Sequence, residues 1–167
     1  MKNIVLVGFM GTGKSVVARR LARRLDMKFI SSDDIIEEKE GRKIAEIFEK
    51  SGEPYFRKIE KEITAQVSGL DGAVIATGGG VVLDEENITA LKKNGVVICL
   101  NADPQTIYER TKKHKHRPIL NVERPIDKIN ELLQLRAPFY ARADHQVETT
   151  GKSVDQVVSE IIKIYNG

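Results

Sequence analysis

Gly8, Gly11, Gly13, Lys14 and Ser15 occur in the run Gly-Phe-Met-Gly-Thr-Gly-Lys-Ser, which matches Gly-x-x-x-x-Gly-Lys-Ser/Thr without mismatch. Glycines at these intervals allow a tight backbone path whose N–H groups turn inward on phosphate oxygens, and the dipole of a following helix adds positive charge there. Lys14 would reach the β- and γ-phosphates, and the Ser15 hydroxyl is a hard oxygen ligand suited to Mg²⁺ carried in with a nucleotide. The motif needs a strand before it and a helix after it. Residues 3–7 are apolar and largely β-branched, and Val16, Val17, Leu21 and Leu25 recur at helical spacing, so both are expected.

The elements that must position this loop alternate along the chain. Strands are expected over 3–7, 28–31, 74–77, 96–100 and 145–149, and helices to about 26, over 35–40, 44–50, 53–67, 84–93, 103–111, 125–141 and 153–165. Such alternation predicts one α/β domain over 1–167, a parallel sheet with helices on both faces. Ligands of such sheets gather at the C-terminal strand ends, where Ser31-Ser32-Asp33-Asp34 and Gly78-Gly79-Gly80 fall. Asp33 is a candidate acceptor for a reacting proton, with a helix cap as its plainer reading. Arg57 shares a helix face with Glu60, which would make it either an anion fork or half of a surface ion pair. Three successive glycines let a ligand approach the backbone, or make a tight turn.

Composition narrows the partners. Of 167 residues, 27 are Lys or Arg and 24 are Asp or Glu, a net charge of +3 with both signs interspersed. That argues against a nucleic-acid-binding surface. Basic charge gathers only in the stretch from Glu109 to Arg124, where six Lys/Arg accompany two Glu, and residues 112–124 have the character of a mobile loop. Cys99, the single cysteine, lies in an apolar strand and is expected to pack. Neither a signal peptide nor a membrane-spanning run is evident, so a cytoplasmic protein is expected. The guanine-reading signature of GTPases is missing, and no strand runs into a single Asp in the usual Walker-B manner. The remaining pattern is that of a small-molecule kinase closing a lid over its reactants.

The motifs in order, namely the loop from Gly8 to Ser15, Asp33, Phe56-Arg57-x-x-Glu60, Gly78-Gly79-Gly80, Arg117-Pro118 and Arg136-x-Pro138-x-Tyr140, resemble the shikimate kinase family over most of the chain. The resemblance implies a three-layer P-loop fold with five parallel strands in the order 2-3-1-4-5, substrate-binding helices over about 33–62 and a lid over about 112–124. It implies transfer of the ATP γ-phosphate to the 3-hydroxyl of shikimate on the route to chorismate. Asp33, Lys14 and Arg117 would be catalytic. Gly11, Thr12, Gly13, Lys14, Ser15, Val16, Arg110, Arg117 and Lys152 would bind ATP, and Asp33, Arg57, Gly78, Gly79, Gly80 and Arg136 would bind shikimate, with Ser15 on Mg²⁺. The partners implied are ATP and shikimate alone, with a monomer expected.

One position departs from the family pattern. Ser31 stands where the family's Asp-x-Asp has its first acid, which predicts weaker hold on Mg²⁺ with catalysis preserved. Other readings stay open: gluconate kinase or a nucleoside monophosphate kinase, a nucleotide-binding regulatory module without turnover, or nucleic-acid binding through the basic loop.

Overall fold

The strand β1 (Asn3–Val7) is wholly buried because apolar neighbours cover it on both faces: Ile4 and Leu6 point to one side of the sheet, Val5 and Val7 to the other. In the computed structural model, which describes residues 1–113 and 122–167, β1 lies between β3 (Ala73–Ala76) and β4 (Gly95–Asn101). The edges are β2 (Lys28–Ser31) and β5 (His145–Glu148), giving the order β2-β3-β1-β4-β5 with every pairing parallel. Fold class and strand order are those the sequence implied.

Helices close both faces. On one, α1 (Lys14–Leu25) and α8 (Val154–Asn166) pack Val17, Leu21, Val158 and Ile161 against Ile4, Leu6, Val74 and Ile98. On the other, the same core holds residues of α2 (Ser32–Glu40), α3 (Ile44–Ser51), α4 (Glu53–Ser68), α5 (Glu85–Lys93), α6 (Pro104–Thr111) and α7 (Pro125–Tyr140), beneath Val5, Val7, Ile75 and Cys99. Cys99 is fully buried, as its apolar strand predicts, and burial pushes its thiol up to about 12.

Local chemistry sets the helix starts. Asp84 accepts from Glu86 N at the start of α5, Asp103 accepts from Thr106 N at the start of α6, and Ser153 with Gln156 forms a capping box on α8. Helix α2 begins three residues before the expected 35, because the Ser31 hydroxyl accepts from Asp34 N and starts the turn earlier. The 3-10 turn Val81–Leu83 was not foreseen; Val81 N donates to Gly78 O and Leu83 N to Gly80 O, and Val81 and Val82 are buried.

Candidate active site

Because all five strands run the same way, their C-terminal ends bring the loop after β1, the start of α2, the glycines after β3 and the turn after β5 to one edge of the sheet. The loop at Gly8 to Ser15 takes the path its glycines were expected to allow: Gly8, Gly11 and Gly13 all have positive φ, at 142°, 76° and 92°. No side chain caps α1, whose first-turn N–H groups therefore face the loop mouth. Thr12 is buried and its hydroxyl donates to Phe9 O at 2.7 Å, tightening the turn from within. Lys14 curls over the loop, its Nζ donating to Gly8 O at 2.6 Å and Phe9 O at 2.9 Å. Ser15 and Val16 are exposed at the helix start.

Beside this cradle stand the residues suspected of holding an acceptor. A methyl group added at Gly78 would lie 2.8 Å from Asp33 Oδ1 and 3.3 Å from Glu60 Oε2; one at Gly80 would collide with the Arg57 guanidinium. At Gly79 it would lie 3.6 Å from Arg136 Nη1 and equally close to Gly8 O and Met10 N of the phosphate loop. The Arg136 guanidinium also sits 5.7 Å from the centre of the Phe9 ring. Asp33, Arg57, Arg136 and the three glycines thus form one cluster against the phosphate loop. Asp33 is not the cap of α2, since Ser31 fills that role. Arg57 donates to Glu60 Oε1 at 2.9 Å and through Nε to Glu53 Oε1 at 3.3 Å. The pair with Glu60 is no surface pair, because Glu60 is only 2% exposed.

The cluster has the chemistry of a hydroxy-acid site, with guanidinium groups for a carboxylate and a carboxylate for a hydroxyl. Its likeness to known proteins is close. The family model for shikimate kinases matches residues 10–166. A shikimate kinase of Caldanaerobacter subterraneus is 50% identical over 165 residues, spanning 99% of this chain and 96% of the relative. The chain belongs to the shikimate kinase family. The Thermodesulfovibrio yellowstonii shikimate kinase is 48% identical over 99% of this chain and 95% of its own length. A solved shikimate kinase from Acinetobacter baumannii, in complex with shikimate, superposes with a TM-score of 0.93 at 37% identity, covering 99% of this chain and 93% of that one.

As a shikimate kinase family member, the chain has its other expected nucleotide contacts in different settings. Arg110 on α6 bridges to the phosphate loop: Nη1 donates to Gly11 O at 3.2 Å and to Thr149 Oγ1 at 3.0 Å, and Nη2 to Thr149 O at 3.3 Å. Lys152 lies in the turn after β5 and donates to Glu160 Oε1 of α8 at 2.8 Å. Arg117 and the centre of the expected lid lie outside the described residues.

Sequence reasoning gave no role to two residues that this structure places in the cluster. Burial pushes the Glu60 carboxyl above its ordinary range while Arg57 pulls it back, and Asp33 nearby adds to the rise. Tyr140, buried at the end of α7, donates to Gly79 O at 2.8 Å. Both stand inside quoted motifs, and their spacing from Arg57 and Arg136, three and four residues along a helix, is the signal that could have found them.

Proposed function

We propose that this protein transfers the γ-phosphate of ATP to the 3-hydroxyl of shikimate, a step of aromatic amino-acid biosynthesis. The observation that carries the reading is the meeting of Asp33, Arg57 and Arg136 around Gly78, Gly79 and Gly80, directly against the phosphate loop of a shikimate kinase family chain. Arg57 and Arg136 fork onto the shikimate carboxylate. Asp33 accepts the proton of the 3-hydroxyl as that oxygen bonds to the γ-phosphorus and the bond to the β-bridging oxygen breaks, leaving ADP. Lys14 leaves the loop carbonyls for the phosphate oxygens, where with Arg117 it offsets the charge of the transferring group. Gly11, Thr12, Gly13, Ser15 and Val16 supply the phosphate cradle, and Arg110 and Lys152 border the adenine.

The residues fit Mg²⁺ brought by the nucleotide. Among the described residues no group of three His, Cys, Asp or Glu could hold an ion, whereas Ser15 offers one exposed hydroxyl beside the phosphate cradle. Bound there, the ion would neutralise phosphate charge. A single domain over 1–167, a lid at 112–124, a monomeric state and a cytoplasmic location complete the proposal; among the described residues no helix is long and apolar enough to cross a membrane.

ADP release from MgATP, measured with shikimate, gluconate or nucleoside monophosphates as acceptor, tests the reading. Shikimate-dependent turnover is expected. Turnover with another acceptor alone would overturn the roles of Arg57 and Arg136, and ATP binding without turnover would favour a regulatory module.

A further inference from the structure

The glycines after β3 carry no side chains, and the turn's own hydrogen bonds, Val81 N to Gly78 O and Leu83 N to Gly80 O, leave the Gly79 carbonyl unheld from within. That carbonyl is nonetheless engaged from outside. The Tyr140 hydroxyl donates to Gly79 O at 2.8 Å, and Arg136 Nη1 approaches the same oxygen at 3.4 Å. Arg136 and Tyr140 are four residues apart on α7 and share a face. The tyrosine bond has full strength by its length; the arginine contact is at the outer edge of hydrogen bonding. Burial pushes the Tyr140 phenol up, so it stays a neutral donor at working pH, with the Arg136 guanidinium acting in the opposite direction.

The N–H groups of Gly79 and Gly80 donate to no backbone carbonyl among the described residues. A trans peptide sets its N–H opposite its C=O, so holding Gly79 O also aims Gly80 N–H and restricts the turn that presents Gly79 N–H. An Arg136 Nη1–H held tightly on that carbonyl would be one fewer donor for a fork onto a ligand carboxylate.

We propose that Tyr140 is a positioning residue for the acceptor: it holds the Gly79 carbonyl, which aims the turn's N–H donors and leaves Arg136 free to swing from that carbonyl to the acceptor's carboxylate. The proposal rests on the reading of this site as the one that binds shikimate. A phenol is needed because a phenylalanine would fill the same core volume and leave the carbonyl to Arg136. Tyr140 touches no reacting atom in this scheme and acts only through the turn and the arginine.

Tyr140→Phe, assayed beside the native chain, tests it with separate titrations of shikimate and ATP. The KM for shikimate should rise about five- to tenfold, the loss expected for one hydrogen bond, while the KM for ATP stays within about twofold. Assays run below the melting range of the variant separate this from a folding defect, since loss of folded enzyme lowers kcat and leaves both KM values in place. An unchanged shikimate KM, or a parallel rise in both, would overturn the proposal. A native chain that shows no shikimate-dependent ADP release would instead overturn the functional reading on which it rests.

Discussion

The two halves of the site are built by different means. The phosphate half is made of backbone: three glycines at positive φ and the uncapped start of α1, all between Gly8 and Val16. The acceptor half is made of side chains from α2, α4 and α7 folded over the Gly78 to Gly80 turn. A phosphate asks only for N–H donors and positive charge, which any sequence with the right φ values can supply. A hydroxy acid asks for a fork and a base at fixed separations, which takes side chains from several elements. Substitutions should therefore divide by half, with nucleotide and acceptor affinities moving separately.

The largest effect should come from the group that joins the halves. Asp33→Asn keeps a hydrogen-bonding side chain of the same shape but cannot take the hydroxyl proton, so kcat should fall by about 10²- to 10⁴-fold. Both KM values and the melting temperature should stay close to native, which steady-state kinetics and a thermal melt will show. Retention of most turnover would remove Asp33 as the base.

Two alanines sharpen the comparison further. At Gly11 the φ of 76° and a Cβ only 2.6 Å from Thr111 Cγ2 would strain the loop and push on α6. The expected result is a raised KM for ATP and a protein less stable by about 1–2 kcal/mol. Gly80 has an ordinary φ of −101°, so Gly80→Ala strains no backbone and only displaces the Arg57 guanidinium. Its KM for shikimate should rise about tenfold, the loss of a good charge-assisted contact, with that for ATP unchanged. If Gly80→Ala weakened both substrates equally, the division into halves would fail.

The same division decides what could be read from the sequence. Strands such as β1 announce themselves by contiguous apolar β-branched residues, and α5, α6 and α8 by the caps Asp84, Asp103 and Ser153, all local signals. The phosphate loop is equally local, and its φ values follow from its glycines. Glu60 is different. As a charged residue three positions from Arg57 it resembles half of a surface pair, and only the packing of α4 beside Gly78 and Asp33 makes it buried. The Tyr140 contact spans 61 residues, and the Val81–Leu83 turn depends on how its valines are buried. No window of sequence contains those partners. Helical spacing points to Arg57 but Arg136 is found only through a motif, and no periodicity places the two in one cluster.

Glu60 gives a smaller, pH-dependent effect. Its carboxyl is raised mainly by burial, so the folded chain binds that proton more readily than the unfolded one. The associated stability is present at low pH and lost as pH rises through the raised value, so ionised Glu60 is a cost at neutral pH. Glu60→Gln lacks this dependence. Between about pH 4 and pH 7 the native chain should lose about 2–4 °C in melting temperature relative to the variant. The variant should also bind shikimate less well, because Arg57 loses its charged anchor. A constant difference in melting temperature across that range would mean that Glu60 stays ionised throughout.

The smallest effect belongs to Ser31, the last residue of β2. Its hydroxyl is engaged with Asp34 N at 3.3 Å as the cap of α2, so it is a weaker partner for a hydrated cation than the acid of the family pattern. Asp is as good a cap as Ser, so Ser31→Asp can keep α2 in place while adding one negative charge at the end of β2. That charge should attract the hydration shell of Mg²⁺ bound with the nucleotide and lower the Mg²⁺ concentration giving half-maximal rate by about two- to fivefold, with kcat little changed. The same shift should appear when melting of the ATP-bound protein is followed against Mg²⁺, a readout that needs no turnover. An unchanged Mg²⁺ requirement in both titrations would mean that Ser31 does not limit hold on the ion, leaving the phosphate oxygens and Ser15 to hold it without help from β2.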